Sequence, residues 1–266
     1  MLPLPTLQDF DELMSLLREA MFPTVYGQQD AMARQHNHQH IAMLLEKHAL
    51  KVLTACSQES TESMEQRAQA IVGEFMSQLP EIDRLLTTDV DAITDNDPAV
   101  DSRLEVISCY PAITVMLHYR VAHALHKLGL PLLPRMITER AHSLTGIDIH
   151  PAASIGASFG IDHGTGIVIG ATTIIGHHVM LYQGVTLGAK NFQHDADGRL
   201  ANLPRHPIIE DHVTIYSNTS VLGRVRIGHH SVIGGNLWIT HDVEPYSQIR
   251  QSRPIKHVGF SDGAGI

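Results

Sequence analysis

From residue 149 onward, an isoleucine or valine returns at every sixth position. Ile149, Ile155, Ile161, Ile167, Thr173, Val179 and Val185 form one run, and Ile209, Ile215, Val221, Ile227, Ile233 and Ile239 form a second, in phase with it. Twelve of these 13 positions are Ile or Val. An α-helix returns to the same face after three or four residues and a strand after two, so neither yields a period of six. A parallel β-helix does: six residues make one short strand and its turn, and the inward side chains stack from coil to coil. Each coil buries its apolar face only against its neighbours, as in any solenoid. Chance alternation in an ordinary β protein would not hold its phase over 13 positions. The pattern stops between Gly188 and Pro207. A loop of about 20 residues leaving a regular solenoid is a candidate functional element.

The first 145 residues read differently. Only Gly27, Gly73 and Gly129 of the 20 glycines precede Gly146, and glycine is a poor helix former. Leu7, Phe10, Leu13, Met14, Leu17 and Met21 make one helical stripe, with Thr6 and Asp9 as a capping start. Met64, Ala68, Ile71, Val72, Phe75, Met76 and Leu79 make a second, which Pro80 is expected to end or re-aim. Ile113, Met116, Leu117, Arg120, Val121, Ala124 and Leu128 make a third, and a shorter one runs from Pro134 to Leu144. Six to eight helices are expected.

Composition narrows the function. Hydrophobic residues are 43% of the 266, enough for a packed core and too many for a disordered chain. A net charge of −9 argues against a nucleic-acid binder. No apolar run approaches the roughly 18 residues that span a bilayer, and Met1 to Phe10 lacks the pattern of a secretory signal. A cytoplasmic protein without membrane contact is expected. Cys56 and Cys109 lie outside any CxxC, which speaks against a disulfide framework or a thiolate zinc site. The 19 histidines raise the question of metal.

Four segments carry a family resemblance. Asp148-Ile149-His150-Pro151-Ala152-Ala153, Asp162-His163-Gly164-Thr165-Gly166-Ile167-Val168-Ile169-Gly170, Arg205-His206-Pro207 and Asp97-Pro98-Ala99 resemble the DIHPAA, DHxTGIVxG, RHP and DPA segments of the serine O-acetyltransferases, in the hexapeptide-repeat acyltransferase superfamily. The resemblance runs over roughly residues 95 to 260. It implies an α+β chain: a helical domain over 1–145, a left-handed parallel β-helix over 146–245 with an extruded loop at 188–207, and a C-terminal tail over 246–266. The implied reaction is acetyl transfer from acetyl-CoA to the hydroxyl of L-serine, giving O-acetyl-L-serine and CoA in cysteine biosynthesis. No tightly bound cofactor or metal is implied. The loop from Ala189 to Pro204, with His194, Asp195 and Asp197, resembles a long-loop subgroup, and Ala171 stands where the family often has Glu.

The residue types suit that chemistry. An alcohol needs a general base, and the imidazole of His163 titrates near neutrality. Asp148, 15 residues earlier and so nearly one coil away, can orient that ring as a carboxylate does in a Ser-His-Asp triad. By resemblance, Asp97 and Asp162 bind the amino-acid substrate, and Arg205 takes its carboxylate in a fork, with His206 beside it. Gly188, Ala189, Lys190, Ser217 and Thr219 are the candidates for CoA, with Arg224 and Arg226 available to its phosphates. Each has a plainer reading: His163 and Asp148 as turn residues, Arg205 as a surface charge, Asp97 as a helix cap before Pro98.

Other acceptors for the same mechanism are homoserine, a sugar or an antibiotic; Asp97 with Arg205 favours a zwitterionic amino acid. The rival class is a zinc hydrolyase of the γ-carbonic anhydrase type, suggested by His177-His178, His229-His230, His212 and His241. Adjacent histidines in strands or turns point in different directions, whereas zinc needs convergent imidazoles. The flat faces of a β-helix favour a homotrimer with sites between subunits, and the helical domain could pair two trimers into a hexamer. The resemblance also implies feedback inhibition by cysteine and docking of the C-terminal Ile266 into cysteine synthase.

Overall fold

The computed structural model describes residues 4–27, 30–58, 60–190, 197–198 and 203–252. A 3-10 turn, Leu7–Phe10, starts where expected, with Thr6 N–H donating to Asp9 Oδ2 at 2.6 Å. Seven α-helices follow among the described residues: α1 (Asp11–Met21), α2 (Pro23–Tyr26), α3 (Ala31–Cys56), α4 (Thr61–Asn96), α5 (Arg103–Cys109), α6 (Pro111–Lys127) and α7 (Leu133–Thr145). Of the two outcomes expected at Pro80, ending the helix is overturned: α4 runs through it. Leu79, Ile82 and Leu86 are buried around the proline, and that packing outweighs the single lost backbone bond. No helix among the described residues is long and apolar enough to cross a membrane.

Among the described residues, fourteen short strands then wind into a parallel β-helix with three faces. Face 1 stacks β1 (Asp148–Ile149), β4 (Val168–Ile169), β7 (Thr186–Gly188), β10 (Ser220–Leu222) and β13 (Trp238–Ile239). Face 2 stacks β2 (Ser154–Ile155), β5 (Ile174–Ile175), β8 (Ile208–Ile209) and β11 (Arg226–Ile227). Face 3 stacks β3 (Gly160–Asp162), β6 (Met180–Tyr182), β9 (Thr214–Ile215), β12 (Val232–Ile233) and β14 (Gln248–Ile249). The solenoid therefore extends past residue 245 into the expected tail, because β14 pairs with β12. Residues 253–266, with Ile266, lie outside the described residues, as do His194 and Asp195.

The ladder corrects the phase of the repeat. The inward column of face 1 is Ile149, Ile169, Leu187, Val221 and Ile239. Ile167, Thr173, Val179 and Val185 are also buried, but each lies two residues before the strand position of its hexad. The first coil advances 20 residues, from Asp148 to Val168, and the next 18, from Val168 to Thr186. The coil that carries the loop advances 34, from Ile174 to Ile208. The insertions at residues 163–166 and 189–207 together amount to one 18-residue coil, so the second run returns to the phase and layer of Ile149, Ile155 and Ile161, while Ile167, Thr173, Val179 and Val185 fill a different layer.

Helix α6 closes the open end of the solenoid. In the strands, backbone N–H groups of one coil donate to carbonyls of the next, as Asp148 N does to Ile167 O at 2.9 Å. Carbonyls of the first coil thus lack a donor, and a buried orphan is costly. Side chains of α6 supply donors: His123 Nδ1 to Pro151 O at 2.8 Å, Tyr119 OH to Ala153 O at 2.6 Å and Arg120 Nη2 to Gly156 O at 2.8 Å. Arg120 is clamped by Asp89 of α4 through two 2.7 Å bonds, and Asp89 also accepts from Phe159 N–H at 3.0 Å. Burial pushes the Asp89 carboxyl up, against the pull of Arg120.

Candidate active site

The extra residues of the first coil shape the edge between faces 3 and 1. Between β3 and β4, His163, Gly164 and Gly166 all take positive φ, at 56°, 87° and 81°. Gly164 N–H bonds Asp162 O at 2.7 Å and closes a tight turn around His163. Left-handed backbone is strained for a residue with a β-carbon, and strain of this kind gathers at functional sites. The side chain of His163 is 70% exposed, with Nδ1 3.5 Å from Asp162 Oδ1.

Asp97 reaches the same edge from the C-terminal end of α4, where its N–H bonds Ile93 O at 3.0 Å. It ends that helix rather than starting the next. Its carboxylate accepts from the Tyr110 hydroxyl at 2.7 Å and from Ala99 N–H at 2.8 Å. These two bonds, aided by His163, hold Asp97 below the usual carboxylate range. Asp97 in turn pushes the Tyr110 phenol up to about 12, with a smaller push from Asp162. Asp97, Asp162 and His163 therefore share one electrostatic neighbourhood, and Tyr110, absent from the sequence-derived candidates, belongs to it. Nothing in the local pattern marks Tyr110, which lies 13 residues from Asp97. One coil up, Tyr182 stands opposite Asp162 and stacks on Tyr216 at 4.8 Å. The adjacent Gln183 keeps Oε1 buried with no hydrogen-bond partner in the described structure, leaving an open acceptor.

Arg205 and His206 lie on a different edge, between faces 1 and 2. Thr172 fixes them there. Its hydroxyl accepts from Arg205 N–H at 2.9 Å, and its own N–H donates to His206 Nδ1 at 3.1 Å. Burial, and then the charge of Arg205, push the His206 ring down to about 4, so it is neutral at pH 7. The ring occupies the space where a β-carbon at Gly170 would stand, so any larger residue there forces the ring to shift. Arg224 Nη1 bonds Thr172 O at 2.7 Å and His206 O at 2.9 Å, and Arg226 pairs with Glu210 at 2.7 Å. His150 lies on this edge too, its ring pushed down by burial first and then by Arg135. The edge is cationic and the His163 edge is acidic.

Asp148 stands on β1, and its Oδ1 lies 3.4 Å from Arg135 Nη1. No hydrogen bond joins it to His163 among the described residues. Of the CoA candidates, Gly188 ends β7 opposite Leu222, and Lys190 passes over Gly223. Ser217 is half-buried on the 3–1 edge. Thr219 is corrected: it is fully buried, and its hydroxyl donates to Gly234 O at 2.7 Å and accepts from Leu237 N–H at 3.1 Å. Residues two places before a strand position point inward, so its side chain cannot meet a ligand.

Of the histidines behind the zinc alternative, His177-His178, His212 and His229-His230 line the third edge, whereas His241 lies on the 1–2 edge, between Ile239 and Val243. His178, His212 and His230 repeat at one corner position of successive coils with φ near 56°, and Tyr246 continues the column. Their rings stack at 4.7, 4.6 and 5.0 Å. Stacked rings present faces to one another, whereas a metal needs converging ring nitrogens. Among the described residues the one group able to hold an ion is Glu139, His142 and Asp148.

A six-residue solenoid with an exposed imidazole among carboxylates on one edge and guanidinium groups on the next defines a hexapeptide-repeat acyltransferase. No protein-family profile matches the chain. A plasmid-encoded serine acetyltransferase of Synechococcus elongatus is 43% identical across 99% of this chain and 86% of its own length. The serine acetyltransferase of Bacillus subtilis is 41% identical over 62% of this chain and 73% of its own. Serine acetyltransferase 1 of Entamoeba histolytica, solved with L-cysteine, superposes with a TM-score of 0.81 at 36% identity, over 91% of this chain and 87% of that one. The Neisseria gonorrhoeae enzyme, solved with serine, gives 0.60 at 27% identity, over 91% and 97%. The chain belongs to the serine acetyltransferases, and its solenoid is their left-handed β-helix.

Proposed function

We propose that this enzyme transfers the acetyl group of acetyl-CoA to L-serine by direct attack, with His163 as general base. The imidazole takes the hydroxyl proton as the serine oxygen bonds to the thioester carbonyl carbon. The tetrahedral intermediate collapses, the C–S bond breaks, and the imidazolium returns the proton to the departing thiolate. O-acetyl-L-serine and CoA leave, and no acyl-enzyme forms. The observation that carries this reading is the strained turn that presents His163 beside Asp162 and within the field of Asp97. Asp97 and Asp162 take the ammonium and orient the hydroxyl, and Arg205 takes the carboxylate, with neutral His206 beside it. Asp148 orients the imidazole. The pantetheine arm runs along face 1 past Gly188, Ala189 and Lys190, with Ser217 at its border.

One subunit carries the acidic and cationic sets on opposite edges of face 1. A closed homotrimer that sets the 3–1 edge of one subunit against the 1–2 edge of the next completes the site, and pairing through the helices would make it a hexamer. Cysteine, isosteric with serine, competes for the same groups; an unchanged rate with millimolar L-cysteine argues against that. The deciding experiment is CoA-thiol release from acetyl-CoA with L-serine, L-homoserine or galactose, for wild type and His163→Ala. Release with serine alone, lost by roughly 10² or more in the variant, is expected. Release with another acceptor keeps the mechanism and overturns the substrate.

A further inference from the structure

Asp148 has an unusual place for a residue that must orient a base. It lies on β1, the first strand of face 1, so no coil beneath it can supply a neighbour. The helix before it supplies one. Gly146, with φ of 71°, ends α7 and turns the chain back, so that β1 packs against α7. Arg135 Nη1 then lies 3.4 Å from Asp148 Oδ1. The other amino group of Arg135 is ion-paired with Glu139, one turn along α7, and Glu139 Oε2 lies 3.6 Å from His142 Nδ1. Ligand atoms of Glu139, His142 and Asp148 fall within 4.8 Å of one another, and the guanidinium already serves the two carboxylates as their shared cation.

We infer that Arg135, held by Glu139, is a positioning residue that fixes the carboxylate of Asp148 for His163. Two observations favour positioning over a purely structural role. The pair is part-exposed, 39% at Arg135 and 24% at Asp148, and ion pairs at that exposure add little to stability. Arg135 also faces only Oδ1, and Oδ2 has no hydrogen-bond partner among the described residues. A carboxylate anchored through one oxygen presents the other in a set direction.

This inference rests on the proposed role of Asp148, and a double-mutant cycle separates the two. Arg135→Met, Asp148→Asn and the double variant are compared with wild type for kcat and for both KM values, with thermal unfolding as the control for folding. Arg135→Met is expected to lower kcat about tenfold with both KM values nearly unchanged, and to have no further effect on Asp148→Asn. Arg135→Lys, which keeps a cation there, recovers part of the rate, and Glu139→Gln, safer for folding, gives a smaller loss of the same kind. If Asp148→Asn slows the enzyme and Arg135→Met does not, positioning is overturned and the role of Asp148 stands. If Arg135→Met slows wild type and Asp148→Asn equally, Arg135 acts elsewhere. If Asp148→Asn is as fast as wild type, the role of Asp148 falls, and the inference with it.

Discussion

The two edges that flank face 1 share one scaffold and differ in how they depart from it. On the 3–1 edge a short insertion bends the backbone into positive φ and pushes one imidazole outward among carboxylates. On the 1–2 edge a long excursion leaves the coil, and its return, Arg205-His206-Pro207, is pinned to Thr172. A solenoid of stacked Ile and Val is stiff and chemically blank. The groups proposed for its chemistry sit where the repeat fails, and the kind of failure selects the kind of group: a strained turn presents an imidazole, and an anchored loop end presents a guanidinium.

The sharpest control lies on neither edge. Asp89→Ala leaves Arg120 buried and unpaired beneath the first coil, at a cost on the order of 3 to 5 kcal/mol. Urea unfolding should show that loss, and protein that still folds should keep its KM for serine. A kinetic effect in folded protein would mean that helix docking, and not the edges alone, sets the chemistry.

Acid should act on the helices and on the 1–2 edge. Burial holds His118 at about 4, below its ordinary 6.5, and it donates to Thr114 O at 2.7 Å. His206 is lowered to about 4 as well. Groups with depressed folded values contribute their full stability above pH 6.5 and lose it as pH falls toward 4. For His118 the loss approaches 3 kcal/mol or so. Unfolding midpoints measured from pH 7 to 4.5 should fall, and fall less steeply in His118→Asn; an unchanged slope would remove His118 as a cause.

The edges themselves separate in steady-state kinetics. His163→Ala should lower kcat by roughly 10² or more with unfolding unchanged, whereas Arg205→Ala should raise KM for serine roughly tenfold or more with a smaller effect on kcat. A kcat effect of equal size at Arg205 would erase the division between base and anchor. Gly170→Ala is the mildest probe. It displaces the His206 ring and should raise KM for serine several-fold while KM for acetyl-CoA holds.

Much of this was legible in the chain. The period of six announced the solenoid, and the motif Asp162-His163-Gly164-Thr165-Gly166 coincides with its two-residue slip. The slip itself was hidden, because two insertions that together make one coil restore the apparent phase. Ile41, Leu44, Leu45, Val52 and Leu53, buried along α3, are not among the stripes named from the sequence, although they recur with the same three-and-four spacing. Tyr110 could not be found from sequence, since a hydroxyl 13 residues from its carboxylate has no periodic signature.

Local chemistry decided what the sequence could determine by itself: inward Ile and Val for stacking, glycine at tight corners, and polar groups at the breaks. Tertiary structure decided the rest. The pairing of Asp89 with Arg120, the donors that α6 offers to the first coil, and the reach of Arg135 to Asp148 each join residues far apart in the chain or across a turn. An arginine inside an apolar stripe states that a partner must exist, because a buried charge cannot stand alone. Only the folded chain says which carboxylate meets it, because that depends on how two helices cross beneath the first coil.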